Sequence, residues 1–244
     1  MAKTQRGRDH IDVLVVGAGP TGLTIAGELA RRGVTTRIIE RRADKSSLSK
    51  ALVLQARTLE MMDLADLADE FLERGYPAPG LDIGLSTDEP VAVNLQHLDT
   101  RFPFLLVLPQ VDTEQILERR LSQHGMTVER GVSFERLERN DAEGVAAIAR
   151  HDDGGEEQIR SNYLVGCDGT HSLVRDALGL PFEGEDLADI VFLADVKLDA
   201  EFVRSRIANF TSERGFLSIL PFLGTYSRVF AVDLRNRIGR PQTH

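Results

Sequence analysis

Apolar and polar positions follow different periods along the chain, and the changes of period mark its elements. In "IDVLVV", residues 11–16, nearly every position is apolar, which is the pattern of a strand buried on both faces. The next segment sets Gly22, Ala26, Ala30 and Gly33 near one helical face, so its backbone can approach a sheet closely. "TTRIIE", residues 35–40, returns as a second strand and completes a βαβ unit with a right-handed crossover. From Gln55 to Arg74, Leu59, Met62, Leu67 and Phe71 recur at helical spacing, and Gly75 with Pro77 ends this predicted helix. Its methionines read as core filling. A third helix is predicted over "VDTEQILERRLSQHG", with Asp112 as its cap, Gln115 completing a capping box, and Gly125 at its end.

The rest of the chain has a shorter period. "MTVERGVSFERLERN", "GVAAIAR" and "EQIRSNYLVGCDG" read as strands of a small meander, two of them joined by Asp152, Asp153, Gly154 and Gly155. Residues 76–101 are interrupted by Pro77, Pro79, Gly80 and Pro90 and read as an excursion into another sheet. Beyond Pro181, "DIVFLADVKLD", "GFLSILPFL" and "YSRVFAVDL" suggest three more strands, mostly antiparallel. The expected fold class is α/β. A Rossmann-like domain with a parallel sheet and a small β-meander takes residues 1–75 and 102–180, and part of a mostly antiparallel sheet takes 76–101 and 181–244. No internal repeat or low-complexity tract interrupts this plan.

Composition narrows the partners. The 244 residues carry 29 Lys and Arg against 38 Asp and Glu, a formal net charge of -9, which argues against a nucleic-acid partner. The pairs Arg31–Arg32 and Arg41–Arg42 read as solvated or ligand-directed rather than as a basic patch. Cys167 is the single cysteine, so neither an intramolecular disulfide nor a Cys-rich metal site is expected, and a cytoplasmic location fits. "MAKTQRGRDH" lacks the apolar core of a signal peptide, and no apolar run approaches the roughly 18 residues of a membrane span, so no membrane partner is expected. Six histidines without an i, i+4 pair give no support for a metal site.

The candidate chemistry sits in the turn after the first strand. In "DVLVVGAGPTGL", Gly17 permits a sharp turn, Gly19 lets a pyrophosphate approach the backbone, and Gly22 lets helix and strand pack tightly. With Pro20 they make up the expected cofactor-binding loop, whose helix offers unpaired N–H groups and a positive dipole end to phosphates. Glu40 ends the second strand, where an acid can accept hydrogen bonds from an adenosine ribose. The alternative is a structural turn with a surface glutamate. The fingerprint serves NAD and FAD alike.

A later stretch separates those two. "LVGCDGTHSLVR", residues 164–175, resembles the Asp-Gly motif of flavoprotein monooxygenases of the para-hydroxybenzoate hydroxylase type, particularly those that hydroxylate aromatic polyketides. "DVLVVGAGPTGL", "IIERR", "ALVLQARTLEMMD" and "LPQVDTEQILERRL" stand in that family's order and spacing, so the resemblance runs through essentially the whole chain. It implies an FAD-binding domain and a partial substrate-binding domain, FAD as cofactor, and NADPH or NADH as transient reductant. The implied reaction is hydroxylation of an aromatic small molecule, phenolic or polyketide-like, with O2. By the same resemblance, Arg41 and Gln110 match positions that contact the adenosine or ribityl parts of the flavin. The family's Arg-Ala pair reads here as Lys50–Ala51, which keeps the charge and loses the planar fork. Arg57 is either flavin-side or structural.

Asp168 is expected to accept hydrogen bonds from the ribityl chain or from ordered water near the pyrophosphate. The alternative is that it only caps the helix begun by Thr170 or Ser172. Cys167 reads as inert packing and Arg175 as holding the loop. No catalytic residue is assigned. The family's later Gly-Asp motif has no counterpart before the chain stops at "RNRIGRPQTH". The chain alone is therefore expected to lack the carboxyl-terminal part of the pocket, to hold FAD weakly or not at all, and not to couple NAD(P)H oxidation to hydroxylation unless a partner chain completes the pocket, with a completing chain or a homo-oligomer as the remaining partner expectation. Three alternatives stand beside the monooxygenase: a flavin-binding fragment or interaction module without turnover, a simple NAD-dependent dehydrogenase, which requires a catalytic set not found here, and a flavin-dependent halogenase, disfavoured because the chain contains no tryptophan.

Overall fold

The computed structural model describes residues 10–45, 51–85, 89–185, 190–199 and 205–233. In chain order its first elements are β1 (Ile11–Val16), α1 (Pro20–Arg31), β2 (Thr36–Glu40), β3 (Val53–Leu54), α2 (Ala56–Asp63), α3 (Ala68–Arg74), β4 (Tyr76–Ala78), β5 (Gly80–Leu85), β6 (Val91–Asn94) and β7 (Leu105–Val107). They are followed by α4 (Gln110–Gln123), β8 (Glu129–Arg130), β9 (Val132–Asp141), β10 (Gly144–His151), β11 (Glu156–Gly166), α5 (Leu173–Ala177), β12 (Ile190–Lys197), β13 (Ile207–Ser212), β14 (Gly215–Pro221) and β15 (Tyr226–Asp233).

Two compact units share these elements. The first combines Met1–Ser49 with Gln110–Glu183. Its six-stranded sheet runs β8-β2-β1-β11-β10-β9, parallel from β8 through β11 and antiparallel across the meander. The apolar run of β1 is buried because strands flank it on both sides: Leu14 and Val15 are fully enclosed, and Ile38 and Ile39 of β2 join them. Ile11, Leu14, Val16, Ile39, Phe134 and Ile159 form much of one core cluster, which Val174 of α5 closes. Helix α1 packs beside α4.

The second unit combines Lys50–Pro109 with Gly184–His244. Its six-stranded sheet runs β12-β15-β14-β13-β5-β6, antiparallel except where β13 and β5 pair in parallel. A three-stranded antiparallel sheet, β3-β7-β4, belongs to the same unit. Leu52, Ala78 and Val107 meet Ile207 and Leu220 in one cluster. A concavity of about 630 Å³ is lined by Phe192, Phe210, Arg214, Phe216, Leu217 and Ala231, among others.

Several sequence expectations shift. The division of the chain falls near residues 49 and 109, so 50–75 and 102–109 pack with the second unit; their apolar residues Leu52, Leu105 and Val107 find partners there. The helix expected over 55–74 is two helices, because Asp66 takes a left-handed backbone, φ 57°, between α2 and α3. Asp tolerates that conformation better than most residues. Helix α4 begins at Gln110, which places Asp112 in its first turn rather than at the cap. Gly131, at φ 68°, splits the first meander segment into β8 and β9. Strand β13, "IANFTS", mixes polar and apolar residues and gives no clear sequence signal.

Candidate functional site

The glycine loop of the first unit has three glycines with three different surroundings. Gly17 has φ +101°, and a Cβ there would lie 2.3 Å from the Cys167 carbonyl oxygen. A Cβ on Gly22 would lie 1.9 Å from the Gly17 carbonyl oxygen and 3.3 Å from the Cys167 Cβ. These two positions are closed by the protein itself. Gly19 differs: a Cβ there meets nothing within 4 Å. The space over Gly19 is open, as a ligand approaching the backbone requires.

Gly19 is also the N-cap of α1, in extended backbone, with Pro20 following and no side chain capping the helix. The first intrahelical bond is Leu23 N–H to the Gly19 carbonyl at 2.9 Å. The N–H groups of Thr21 and Gly22 precede that bond and have no acceptor within the helix. No acidic residue stands in the first turn, and the positive end of the dipole faces the loop.

Glu40, at the end of β2, is 6% exposed. Its Oε2 accepts the Ala18 N–H at 2.9 Å, and its Oε1 accepts the Arg42 N–H at 3.1 Å and Nε at 3.0 Å. Burial pushes its carboxyl up, but the bonds from Ala18 and Arg42 outweigh it and hold the carboxyl below its ordinary value. The acid is thus built into the loop. Arg41 is exposed beside it.

The strand-end motif joins the same loop from β11. Cys167 N–H donates to the Val16 carbonyl at 2.7 Å, which sets the Asp168 main-chain nitrogen 2.9 Å from where a Gly17 Cβ would stand. Asp168 Oδ1 accepts the Ser172 hydroxyl at 2.6 Å, and Oδ2 accepts the Val174 N–H at 3.2 Å. Ser172 is the N-cap of α5 and accepts the Arg175 N–H at 3.0 Å. The described bonds of Asp168 are therefore those of the capping alternative, with Ser172 rather than Thr170 as the cap. Arg175 donates to the Thr170 carbonyl at 2.8 Å and lies 4.6 Å over the Phe182 ring, which holds this turn in shape. Burial, then the Asp168 charge, pushes the Cys167 thiol up, so the residue is a poor nucleophile.

Gln110 opens α4, and its amide donates to Glu114 Oε1 at 2.8 Å. Arg57 lies in the second unit, exposed and paired with Glu60 at 3.0 Å. Lys50 lies outside the described residues; its neighbour Ala51 is exposed. The contacts thus bring together Gly17, Gly22, Glu40, Cys167 and Asp168 around the opening at Gly19. Sequence reading missed the Ala18 main-chain donor and, though it read the Arg41–Arg42 pair as solvated or ligand-directed, the bond from Arg42 to Glu40. The second could have been signalled only by its place two residues after the acid. Among the described residues, no helix is long and apolar enough to cross a membrane, and no group of three or more His, Cys, Asp or Glu side chains could hold a metal ion.

Comparison with known proteins gives consistent matches. The family described as FAD binding domain matches residues 10–243. A 12-dehydrotetracycline 5-monooxygenase/anhydrotetracycline 6-monooxygenase from Streptomyces rimosus is 39% identical over 190 residues, covering 78% of this chain and 37% of that protein. Pentachlorophenol 4-monooxygenase from Sphingobium chlorophenolicum is 34% identical over 226 residues, covering 91% of this chain and 42% of that protein. Among solved structures, OxyS anhydrotetracycline hydroxylase from Streptomyces rimosus superposes with a TM-score of 0.76 at 31% identity, over 92% of this chain and 45% of its own. Aklavinone-11 hydroxylase in complex with FAD and aklavinone gives 0.77 at 27% identity, over 96% of this chain and 48% of its own. The chain spans less than half the length of each of these proteins.

Proposed function

This chain belongs to the FAD binding domain family, and from that premise we propose that it acts as an FAD-dependent monooxygenase. The proposed substrate is an aromatic small molecule, phenolic or polyketide-like, hydroxylated with O2 and with NADPH or NADH as reductant. The observation that carries the reading is the opening at Gly19 beside the buried Glu40 carboxylate. These residues fit the adenosine diphosphate part of FAD: an uncapped helix start for the phosphates, and an ionised acid for the ribose.

When bound, FAD supplies the oxygen-transfer chemistry itself. The chain's own residues bind and orient. The N–H groups of Thr21 and Gly22 and the positive end of α1 hold the pyrophosphate, with Gly17, Gly19 and Pro20 shaping the path of the backbone. Glu40 accepts from the ribose, and Arg41 stands beside it as a further adenosine contact. Gln110 and Asp168 serve the ribityl side, the latter through acceptor capacity left after its two bonds to α5. We assign the first unit to the flavin and the second to the substrate, where Phe192, Phe210 and Phe216 offer aromatic edges and faces. Names of the relatives that act on tetracycline intermediates, a chlorinated phenol and aklavinone support this substrate class. The proposed location is the cytoplasm, which suits a chain whose one cysteine is unpaired.

Titrating FAD into the protein while following flavin fluorescence tests the cofactor, with NAD as the competitor. Saturable binding of FAD in preference to NAD supports the reading, and no saturable response overturns it. NAD(P)H consumption and hydroxylated product, measured over a panel of phenols and polyketide-like aromatics, test the reaction.

A further inference from the structure

Glu40 is held from two sides. Three donors, from Ala18 and twice from Arg42, already meet its two oxygens. A carboxylate offers about four acceptor directions, so roughly one remains for a ligand. Arg42 is itself fixed at its other end, where its carbonyl accepts the Gly131 N–H at 3.4 Å. Its side chain is 46% exposed, so it holds Glu40 through Nε while part of it meets solvent. Arg41, next to the acid in sequence, is exposed, and two other nearby cations are engaged elsewhere. Arg130 of β8 is the register partner of Glu40, but its guanidinium pairs with Glu118 of α4 at 3.2 Å. Lys45 pairs with the same Glu118 carboxylate at 2.9 Å. Asp152 packs where a Cβ on Gly131 would stand.

On the premise that the loop binds FAD, we infer that Arg42 is a positioning residue for Glu40: it fixes one carboxylate oxygen so that the acid meets the adenosine ribose ionised and in a single orientation. The resemblance pointed to Arg41 as the arginine that matters here. The geometry gives Arg42 the separate task of holding the acid. Its main-chain N–H bond survives any substitution except proline, so the side chain is what a variant tests.

The experiment is FAD titration from mildly acidic to neutral pH on the wild-type protein, Arg42→Ala, Arg42→Lys and Arg136→Ala, with Arg136 as an exposed arginine of β9 on the meander. Arg42→Ala should weaken FAD binding about tenfold or more, the scale of one charge-assisted hydrogen bond. Its affinity should also fall away at a higher pH than in the wild type, because Glu40 takes up a proton sooner without its cation. Arg42→Lys should restore the pH profile and only part of the affinity, since an ammonium keeps the charge and loses the Nε geometry. Arg136→Ala should stay within about twofold, as an exposed pair contributes little. A carbon-13 titration of the Glu40 carboxyl in the apoprotein gives a readout independent of the flavin, and its midpoint should rise in Arg42→Ala.

Wild-type affinity and an unmoved pH profile in Arg42→Ala would overturn the inference alone. So would a uniform loss of affinity with an unmoved carboxyl midpoint, which marks a structural effect only. No binding of FAD to the wild type overturns the cofactor reading and this inference with it.

Discussion

The Ala18 N–H donates to Glu40 Oε2 at 2.9 Å across 22 residues of sequence, and this bond ties the end of β2 to the glycine loop after β1. One carboxylate thereby shapes the loop, and the proposed function gives the same carboxylate to the ligand. Under that proposal the structural and binding roles of Glu40 are not alternatives.

Replacing Glu40 should therefore cost twice. Glu40→Ala leaves the Ala18 N–H without its charged acceptor and should destabilise the apoprotein by about 1.5 to 3 kcal/mol, the range for hydrogen bonds to charged groups. FAD binding should weaken by a similar amount. Urea denaturation of the apoprotein measures the first effect and flavin titration the second. Unchanged flavin affinity in a folded Glu40→Ala protein would remove this residue from the site.

The glycines should separate folding from binding. Gly22→Ala puts a methyl where the Gly17 carbonyl oxygen stands at 1.9 Å, so the expected outcome is a poorly folded protein. Gly19→Val meets no protein atom within 4 Å; the protein should fold and lose flavin. Gly27→Ala is equally open and lies inside α1, so it should keep flavin and gain about 0.5–1 kcal/mol of helix stability. A Gly19→Val protein that folds and binds FAD normally would mean that the loop does not cradle a pyrophosphate.

Acid should weaken the first unit through specific carboxylates. The Arg31 hydrogen bond, against some burial and with help from Arg32, brings Glu28 down to about 2. The Arg37 hydrogen bond leads in lowering Glu157, and Arg37 also meets Glu129 of β8 at 2.6 Å, which links β2, β8 and β11. With Glu40, these acids stay ionised in the folded protein at pH values where the unfolded chain is protonated. The unfolded state then binds more protons, so their stabilisation is complete above about pH 4.3 and is lost as pH falls toward about 2. Urea midpoints measured across that window should fall. They should fall less steeply in Arg37→Met, whose stability at neutral pH should already be lower by about 2 kcal/mol because two half-buried acids lose their cation.

What could be read in the sequence follows from where the information lies. The uniformly apolar "IDVLVV" could only be a strand covered on both faces, and Gly17 and Gly22 are side-chain absences that the backbone geometry requires, while Gly19 leaves open space. Ala18 could not be read, because its contribution is a main-chain N–H that any residue but proline supplies. Arg41 and Arg42 look equivalent in a string, and only the turn after β2 decides which guanidinium reaches Glu40. The break at Asp66 was hidden because Leu67 and Phe71 still face inward after it, so the apolar period survives the interruption. Pairing β13 with β5 joins segments more than a hundred residues apart, which local period cannot anticipate.

Asp168 gives the sharpest remaining test, since its described bonds all run to α5 and its flavin role is proposed. Asp168→Ala removes the acceptor of the Ser172 hydroxyl and of the Val174 N–H, and should destabilise the apoprotein by about 1 kcal/mol, the usual cost of losing a cap. Asp168→Asn keeps one carbonyl oxygen as acceptor and should recover part of that stability, while removing the charge. A purely capping residue predicts that FAD affinity follows stability, with Asn better than Ala in both. A ribityl or water-bridging carboxylate predicts that Asn and Ala lose FAD affinity alike, because each lacks the anionic acceptor. Measuring urea midpoints and flavin dissociation constants on the same two variants decides between them. Affinity that recovers together with stability in Asp168→Asn would confine Asp168 to holding the turn.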